Sequence, residues 1–226
     1  MKIVHIPRVV AAAVSLFAAF GSAPASALSV VYSLNQTNID AGAFLDNTNY
    51  LEVTITSTVA GSASFSVAPV YAFTTQSNFG IQSFGFNYTG SNTLTISQPS
   101  GWSVNPPPPS NQDGFGGFDY VVETTGTGRL SPLTFTVSGL TGATAAATLG
   151  QFVKYSAPVA GQGNQYFAAH VTDFTTSLTD ANGVAITSGY FGGSDQISTP
   201  VPEPETYAML LAGLGLVGFA ARRKLS

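Results

Sequence analysis

A period of two in the hydrophobic pattern constrains the fold of this chain more than any other feature. Apolar residues alternate with polar ones across residues 51–56, 84–88, 133–137 and 167–172. Such alternation predicts β-strands that bury one face. Only the alanine-rich residues 143–149 are ambiguous, because they fit the period of 3.6 that a helix requires as well as they fit a strand.

Turn-forming residues divide this pattern into short strands. Gly90 and the pair Asn182-Gly183 are typical of turns between strands, and the four prolines of residues 106–109 predict an extended loop. We therefore expect an all-β domain over residues 28–191, folded as an antiparallel β-sandwich of about ten strands. The alternative is a barrel in the outer membrane, which the shortness of the strands disfavours. The strands are predicted near 28–34, 50–58, 63–72, 79–88, 93–98, 118–124, 130–138, 145–155, 164–172 and 184–191.

The chain has few charged residues, and they are unevenly placed. Only 8% of its residues are charged, against about 25% in an average soluble domain. Residues 28–200 contain two basic residues, Arg129 and Lys154, and nine acidic ones, a formal net charge of −7. Nucleic acid as a partner is excluded on this ground, because a phosphate backbone is bound through lysine and arginine. The chain has no cysteine, so it has neither disulfides nor thiolate metal sites.

Residues 1–27 have the organisation of a secretory signal peptide. Lys2 and Arg8 supply the positive charge, and residues 9–20 form an apolar run that is short for a membrane span. Ala25 and Ala27 supply the small residues that a signal peptidase accepts, so we predict cleavage after Ala27. The alternative is an N-terminal anchor that is not cleaved.

The C-terminal end has three parts in a fixed order after a predicted linker at residues 192–200. A stiff proline-containing triplet is followed by an uncharged run at 207–221, predicted to be a helix, and then by a basic cluster. As a helix this run is about 22 Å long at about 1.5 Å per residue, against a hydrocarbon core of about 30 Å. The basic cluster stays cytoplasmic by the positive-inside rule, so the domain is predicted to lie outside. The triplet is Pro202, Glu203 and Pro204, and the cluster is Arg222, Arg223 and Lys224.

Residues 201–226 resemble the PEP-CTERM sorting signal of proteins exported by Gram-negative bacteria that make exopolysaccharide. The resemblance rests on the triplet, the Leu/Gly/Ala-rich run and the basic cluster, and it says almost nothing about the central domain. It implies an exosortase-type membrane enzyme as a partner, which processes the chain near the triplet. It also implies that the helix holds the protein in the inner membrane in transit, before the protein reaches the cell surface or the medium.

The central domain offers few groups for catalysis or metal binding. His170 is the one histidine after the predicted cleavage site, and its position on a predicted strand places it opposite in phase to Phe167 and Val171. Asp119 and Glu123 lie four residues apart on one predicted strand, about 13 Å at about 3.3 Å per residue. Glycoside hydrolysis requires two carboxylates about 5–9.5 Å apart. Residues 111–114 could supply oxygen ligands to calcium, although a plain turn is the simpler interpretation.

Aromatic residues near the proline loop suggest a second kind of site. Trp102 and Tyr120, with Phe115 and Phe118, surround this loop and could stack on sugar rings if their faces are exposed. The alternative is that these rings close one end of the sandwich.

The sequence as a whole predicts an exported, non-enzymatic cell-surface or matrix protein. Together with the resemblance, it suggests an association with exopolysaccharide or biofilm. We expect no catalytic residue, no metal and no cofactor. A carbohydrate-binding module that uses Trp102 and Tyr120 is the alternative, and a secreted hydrolase is a weaker one.

Overall fold

The computed structural model describes residues 27–39, 41–158, 161–197, 210–215 and 217. The predicted signal peptide therefore lies outside the described residues except for Ala27, which directly precedes the first strand. The predicted sorting residues also lie outside them: Pro202, Glu203, Pro204, Arg222, Arg223 and Lys224.

Fourteen strands and one short helix make up the folded part of the described chain. In chain order the elements are β1 (Leu28–Leu34), β2 (Gln36–Thr37), β3 (Leu51–Ser57), β4 (Ser62–Pro69), β5 (Thr75–Phe86), β6 (Thr95–Ser97), β7 (Ser103–Asn105), β8 (Ser110–Gln112), β9 (Gly116–Phe118), β10 (Tyr120–Glu123), β11 (Leu133–Ser138), α1 (Ala145–Gly150), β12 (Phe167–Phe174), β13 (Ser188–Gly193) and β14 (Asp195–Gln196).

Twelve of these strands form two six-stranded sheets. Sheet A has the order β14-β1-β3-β4-β11-β6, and sheet B has the order β2-β13-β12-β5-β10-β7. All the strand pairs in both sheets are antiparallel. The two remaining strands, β8 and β9, pair as a separate hairpin. The all-β, antiparallel fold class predicted from the alternation is confirmed.

The main core lies between the inner faces of the two sheets. Strands β3 and β11 alternate strictly between buried and more exposed residues, as the period of two predicts. Phe65 on β4 is 2% exposed, and its ring centroid lies 4.8 Å from that of Phe135 and 6.1 Å from that of Phe84 on sheet B. Aromatic rings therefore join the two sheets.

A second, smaller core covers part of the outer face of sheet B. Phe115 and Phe118, from the hairpin of β8 and β9, pack with Val121 and Ala168 on that face, and all four side chains are fully buried. Val121 and Val122 are both buried because sheet B has apolar contacts on both faces here. This third layer makes the outer face of sheet B unlike that of sheet A.

Several predicted boundaries need correction. The predicted strand at 145–155 is wrong, because α1 forms there, with the Thr144 side chain accepting a hydrogen bond from the Ala147 amide as its N-cap. The predicted linker at 192–200 does not hold for residues 192–197, which complete β13, form β14 and pair with β1 through Ile197. Five strands of two or three residues were missed, because such short segments have no readable period.

Candidate functional site

The C-terminal segment leaves the fold at an edge of sheet A. β14 is the outermost strand there. The carboxylate of Asp195, in β14, accepts a hydrogen bond of 2.8 Å from the side-chain amide of Asn35. Two residues after Asp195, the Ile197 amide donates to the Val31 carbonyl at 2.9 Å. The residues that follow β14 are therefore tied to the sandwich up to Ile197, close to the start of the predicted sorting triplet.

The described residues of the predicted C-terminal helix are helical, which confirms that part of the prediction. Leu210, Leu211, Leu214 and Val217 are 60–68% exposed, so they have few protein contacts. Within the described residues, no helix combines the length and the hydropathy that crossing a membrane requires. The rest of the predicted helix at 207–221 lies outside the described residues.

The aromatic rings expected to face a sugar are buried, so the exposure on which that hypothesis depended is wrong. Trp102 is 7% exposed, and its Nε1 donates to the Gly128 carbonyl at 2.9 Å. Tyr120 is 4% exposed, and its hydroxyl accepts a hydrogen bond from the Leu94 amide. Phe115 and Phe118 belong to the smaller core on the outer face of sheet B, and Trp102 and Tyr120 belong to the main core, so all four rings serve packing.

His170 is held on the outer face of sheet B, opposite in phase to its buried neighbours Phe167 and Val171, as predicted. Its ring stacks on that of Tyr190, with centroids 4.2 Å apart and planes 6° from parallel. Burial, and then the charge of Arg129, lower the pKa of His170 to about 4, against an opposing effect of Asp113. At neutral pH the imidazole is therefore uncharged and is engaged in packing.

The two acidic residues Asp119 and Glu123 do not share one strand as expected. Asp119 lies in the bend between β9 and β10, and Glu123 ends β10. The Oδ2 atom of Asp119 lies 2.6 Å from Lys154 Nζ and accepts a hydrogen bond from the Tyr88 amide. Glu123 Oε1 accepts a hydrogen bond of 2.7 Å from Asn105. Each carboxylate is thus engaged in a structural contact of its own.

Residues 111–114 comprise the end of β8 and the start of the turn after it, and two of their side-chain oxygens accept hydrogen bonds within the fold. Asp113 Oδ2 accepts a hydrogen bond from Asn38, and Gln112 Oε1 accepts one from the buried Ser83 hydroxyl. Gly114, at φ 85°, supplies the left-handed backbone that the turn requires. In the described part of the chain, no group of three or more histidine, aspartate or glutamate side chains is placed to bind a metal ion.

Two rows of hydroxyl side chains cross the outer face of sheet A; we call these eight residues the hydroxyl face. The strand register aligns one row over five strands, from β1 to β6, and a shorter row over β3, β4 and β11. A shallow groove of about 630 Å³ runs along this face, with apolar walls at Pro99 and Pro132. The first row is Ser29, Thr56, Ser64, Thr136 and Ser97, and the second is Thr54, Ser66 and Thr134.

A smaller pocket of about 330 Å³ lies at the Asp119–Lys154 ion pair, and we call it the Asp119 pocket. Its other walls are the turn at 88–93, Tyr120 and the prolines Pro106 and Pro107. The side chains of Asp119 and Lys154 are 18% and 41% exposed, so the ion pair is only partly open to solvent.

The role of Lys154 was missed, although the charge count contained a signal for it. Residues 28–200 have only two basic residues among nine acidic ones, and both form ion pairs in the fold: Lys154 with Asp119, and Arg129 with Asp173 at 2.8 Å. A scarce cation in an acidic domain could have been predicted to have a fixed partner. Which acid it contacts depends on the fold, because Asp119 and Lys154 are 35 positions apart.

Comparison with known proteins identifies one region of the chain. The family model described as the PEP-CTERM protein-sorting motif matches residues 200–224. No match to the chain was found among curated proteins or among solved structures. The motif indicates a secreted protein that an exosortase-type enzyme processes. It begins three residues after Ile197, the last residue seen paired to sheet A, so the sorting segment follows the folded domain almost without a spacer. The C-terminal region of this chain is a PEP-CTERM protein-sorting motif.

Proposed function

We propose that the chain is a secreted, non-enzymatic β-sandwich protein of the cell surface or extracellular matrix. Its C-terminal segment holds it at the inner membrane in transit, and an exosortase-type enzyme then processes it near Pro202 and Pro204. The observation that carries the proposal is the sorting motif at residues 200–224, which begins four residues after the end of β14. The bacterial exopolysaccharide matrix is the proposed destination.

The state of the titratable groups supports a non-enzymatic role for the domain. A general base must reach its substrate with a pKa near the working pH. The ring of His170 stacks on Tyr190, and its pKa is lowered to about 4. The carboxylates of Asp119 and Glu123 are held by Lys154 and Asn105, respectively. These groups stabilise the fold, so the secreted hydrolase is the weaker candidate.

The hydroxyl face supports a role outside the cell among hydrated polymers. Its eight side chains make sheet A polar without adding charge, and six of them form no hydrogen bond to protein within the described residues. The hydroxyls of such a surface can form hydrogen bonds with water or with the hydroxyls of polysaccharides.

The test is the mass of the protein recovered from two strains, one with the exosortase-type enzyme and one without it. From the first strain, protein in the medium should begin at Leu28 and end near Pro202–Pro204. From the second, protein in the membrane fraction should retain its last residue, Ser226. Identical intact C-termini in both strains would refute processing.

A pair of proline variants separates the motif from a general effect of proline. Replacing Pro202 and Pro204 by Ala changes the motif and should leave the C-terminus uncut. The matched control, Pro106→Ala, changes an exposed loop proline of the domain and should be processed as in the natural sequence. Equal processing of both variants would show that the triplet does not direct the enzyme.

A further inference from the structure

The Asp119 pocket contains hydrogen-bonding groups that the fold does not use. Both hydrogen bonds to the Asp119 carboxylate go to Oδ2, from the Tyr88 amide at 3.0 Å and from Lys154 Nζ at 2.6 Å. Oδ1 has no partner among the described residues, and it is not among their buried unsatisfied atoms, so it is open to solvent. Lys154 Nζ also donates to the Tyr88 carbonyl at 3.2 Å, which leaves one of its three N–H groups free.

Tyr88, which lines the same pocket, has a buried hydroxyl without a partner among the described residues. Tyr88 is 4% exposed, and its Oη is buried and makes no hydrogen bond in the described part of the chain. It lies against Gly90, where any side chain would collide with the phenol oxygen. A buried polar atom without a partner costs free energy. This Oη atom exposes almost no surface, so the groups open to a ligand here are Oδ1 of Asp119 and the free N–H of Lys154.

We infer that the Asp119 pocket binds one uncharged sugar unit through vicinal hydroxyl groups. The free Oδ1 accepts, and the free N–H of Lys154 donates; two neighbouring sugar hydroxyls can satisfy both at once. Pro106 and Pro107 present apolar rings on which the C–H face of a sugar can pack. The exposed hydroxyls of Ser91 and Thr93 lie on the other wall and can supply further hydrogen bonds.

The ion pair decides which class of ligand fits. A carboxylate or phosphate group would be attracted by Lys154 but repelled by Asp119. A cation would be attracted by Asp119 but repelled by Lys154. A neutral polyol has no such penalty, and it gains charge-assisted hydrogen bonds from both residues. The volume of about 330 Å³ lies at the small end of the usual range for ligand sites, so the pocket suits a single ring or the end of a chain.

The hydroxyl face is the competing location on this protein, and it provides a control. Its groove is larger, but neither of its two rows includes a charged side chain that could orient a ligand. The inference does not depend on processing of the C-terminal segment, because every residue of the Asp119 pocket belongs to the folded domain.

Saturation-transfer NMR and calorimetry on the full chain test this inference. The probes are D-glucose, D-galactose, D-mannose and their β-1,4-linked disaccharides, with D-glucuronate as the charged counterpart. At least one neutral sugar should bind, with a dissociation constant in the millimolar range, and glucuronate should bind at least about tenfold more weakly. Equal binding of the charged sugar, or no binding of any neutral sugar, would overturn the inference.

Three variants locate the site. Ser91→Leu fills the Asp119 pocket without touching the ion pair, and Lys154→Met removes the cation; each should weaken binding at least about tenfold. Thr134→Leu places the same leucine side chain on the hydroxyl face and should leave binding unchanged. Because Ser91 and Thr134 are both exposed, their substitutions should leave the fold intact, which the thermal midpoint checks. Loss of binding only in the Thr134 variant would place the sugar on sheet A and refute its assignment to the Asp119 pocket.

Discussion

The close contact between the hairpin of β8 and β9 and sheet B makes a sharp prediction about one glycine. Gly192 lies in β13, and Phe115 packs directly over it. A Cβ atom at residue 192 would lie 2.6 Å from Cδ1 and 2.7 Å from Cε1 of the Phe115 ring. That ring is fully buried, so it has little freedom to move away. We therefore expect Gly192→Ala to destabilise the protein, even though alanine suits a strand better than glycine does.

Two opposing effects set the size of this destabilisation. Overpacking a buried contact costs about 1–3 kcal/mol. The loss of unfolded-state entropy on replacing glycine by alanine contributes about 0.4–1 kcal/mol in the stabilising direction. The net loss of unfolding free energy is thus centred on about 1.3 kcal/mol and is about 2.6 kcal/mol at most. At about 2–4 °C per kcal/mol for a chain of this size, the thermal midpoint should fall by about 3–5 °C, and by about 10 °C at most.

Gly150→Ala is the matched control, because it makes the same chemical change where nothing is in the way. Gly150 is exposed at the end of α1, and a Cβ there would have no neighbour within 4 Å. This variant should be as stable as the natural sequence or more stable, by up to about 1 kcal/mol. Chemical denaturation of the two variants gives the difference directly.

Hydrogen exchange shows which part of the fold loses stability in Gly192→Ala. In Gly192→Ala, the amides of residues 110–118 should lose protection while those of β3 and β4 keep it, because only the hairpin rests on Gly192. If Gly192→Ala were as stable as Gly150→Ala, with residues 110–118 fully protected, the hairpin would not pack on sheet B as described.

Two further predictions concern the main core and the histidine. Phe65→Ala should cost about 3–5 kcal/mol of unfolding free energy, whereas Thr134→Ala on the exposed face of the neighbouring strand should stay within about 0.5 kcal/mol; a loss below 1 kcal/mol at Phe65 would contradict the ring contacts between the sheets. His170 has a pKa of about 4 in the folded protein, below its ordinary value of 6.5, so the unfolded chain binds its proton first as the pH falls. Its contribution to stability is therefore complete above pH 6.5 and is lost as the pH falls towards 4, and His170→Gln should flatten this part of the curve of stability against pH. An unchanged slope in that variant would refute the burial of the ring.

The alternation predicted the fold class because each sheet packs one face on the main core. It failed to predict the outer face of sheet B, where the smaller core covers residues that would otherwise face water. The burial of Trp102 was equally out of reach, because the partner of its indole N–H is the carbonyl of Gly128, 26 residues away. α1 was misread because six residues are too few for a helical period to stand out.

The candidate sites also divide into one that a local sequence pattern predicts and one that depends on contacts between distant residues. Residues 200–224 could be read directly, because a sorting motif is a linear signal that an enzyme recognises in the order of the sequence. The Asp119 pocket could not be read, because its walls come from four separate stretches of the chain that only the strand register brings together. The count of two cations suggested that Lys154 has a partner but could not select Asp119 from nine acids.

The hydroxyl face has a consequence for the behaviour of the protein in changing surroundings. Serine and threonine hydroxyls do not titrate over the range of natural waters, and dissolved ions screen charges but not neutral hydrogen-bonding groups. The hydration of this side of sheet A should therefore be the same in fresh and in brackish water, and in acidic and in alkaline conditions. This side of sheet A therefore stays hydrated when the salt concentration or the pH around the protein changes.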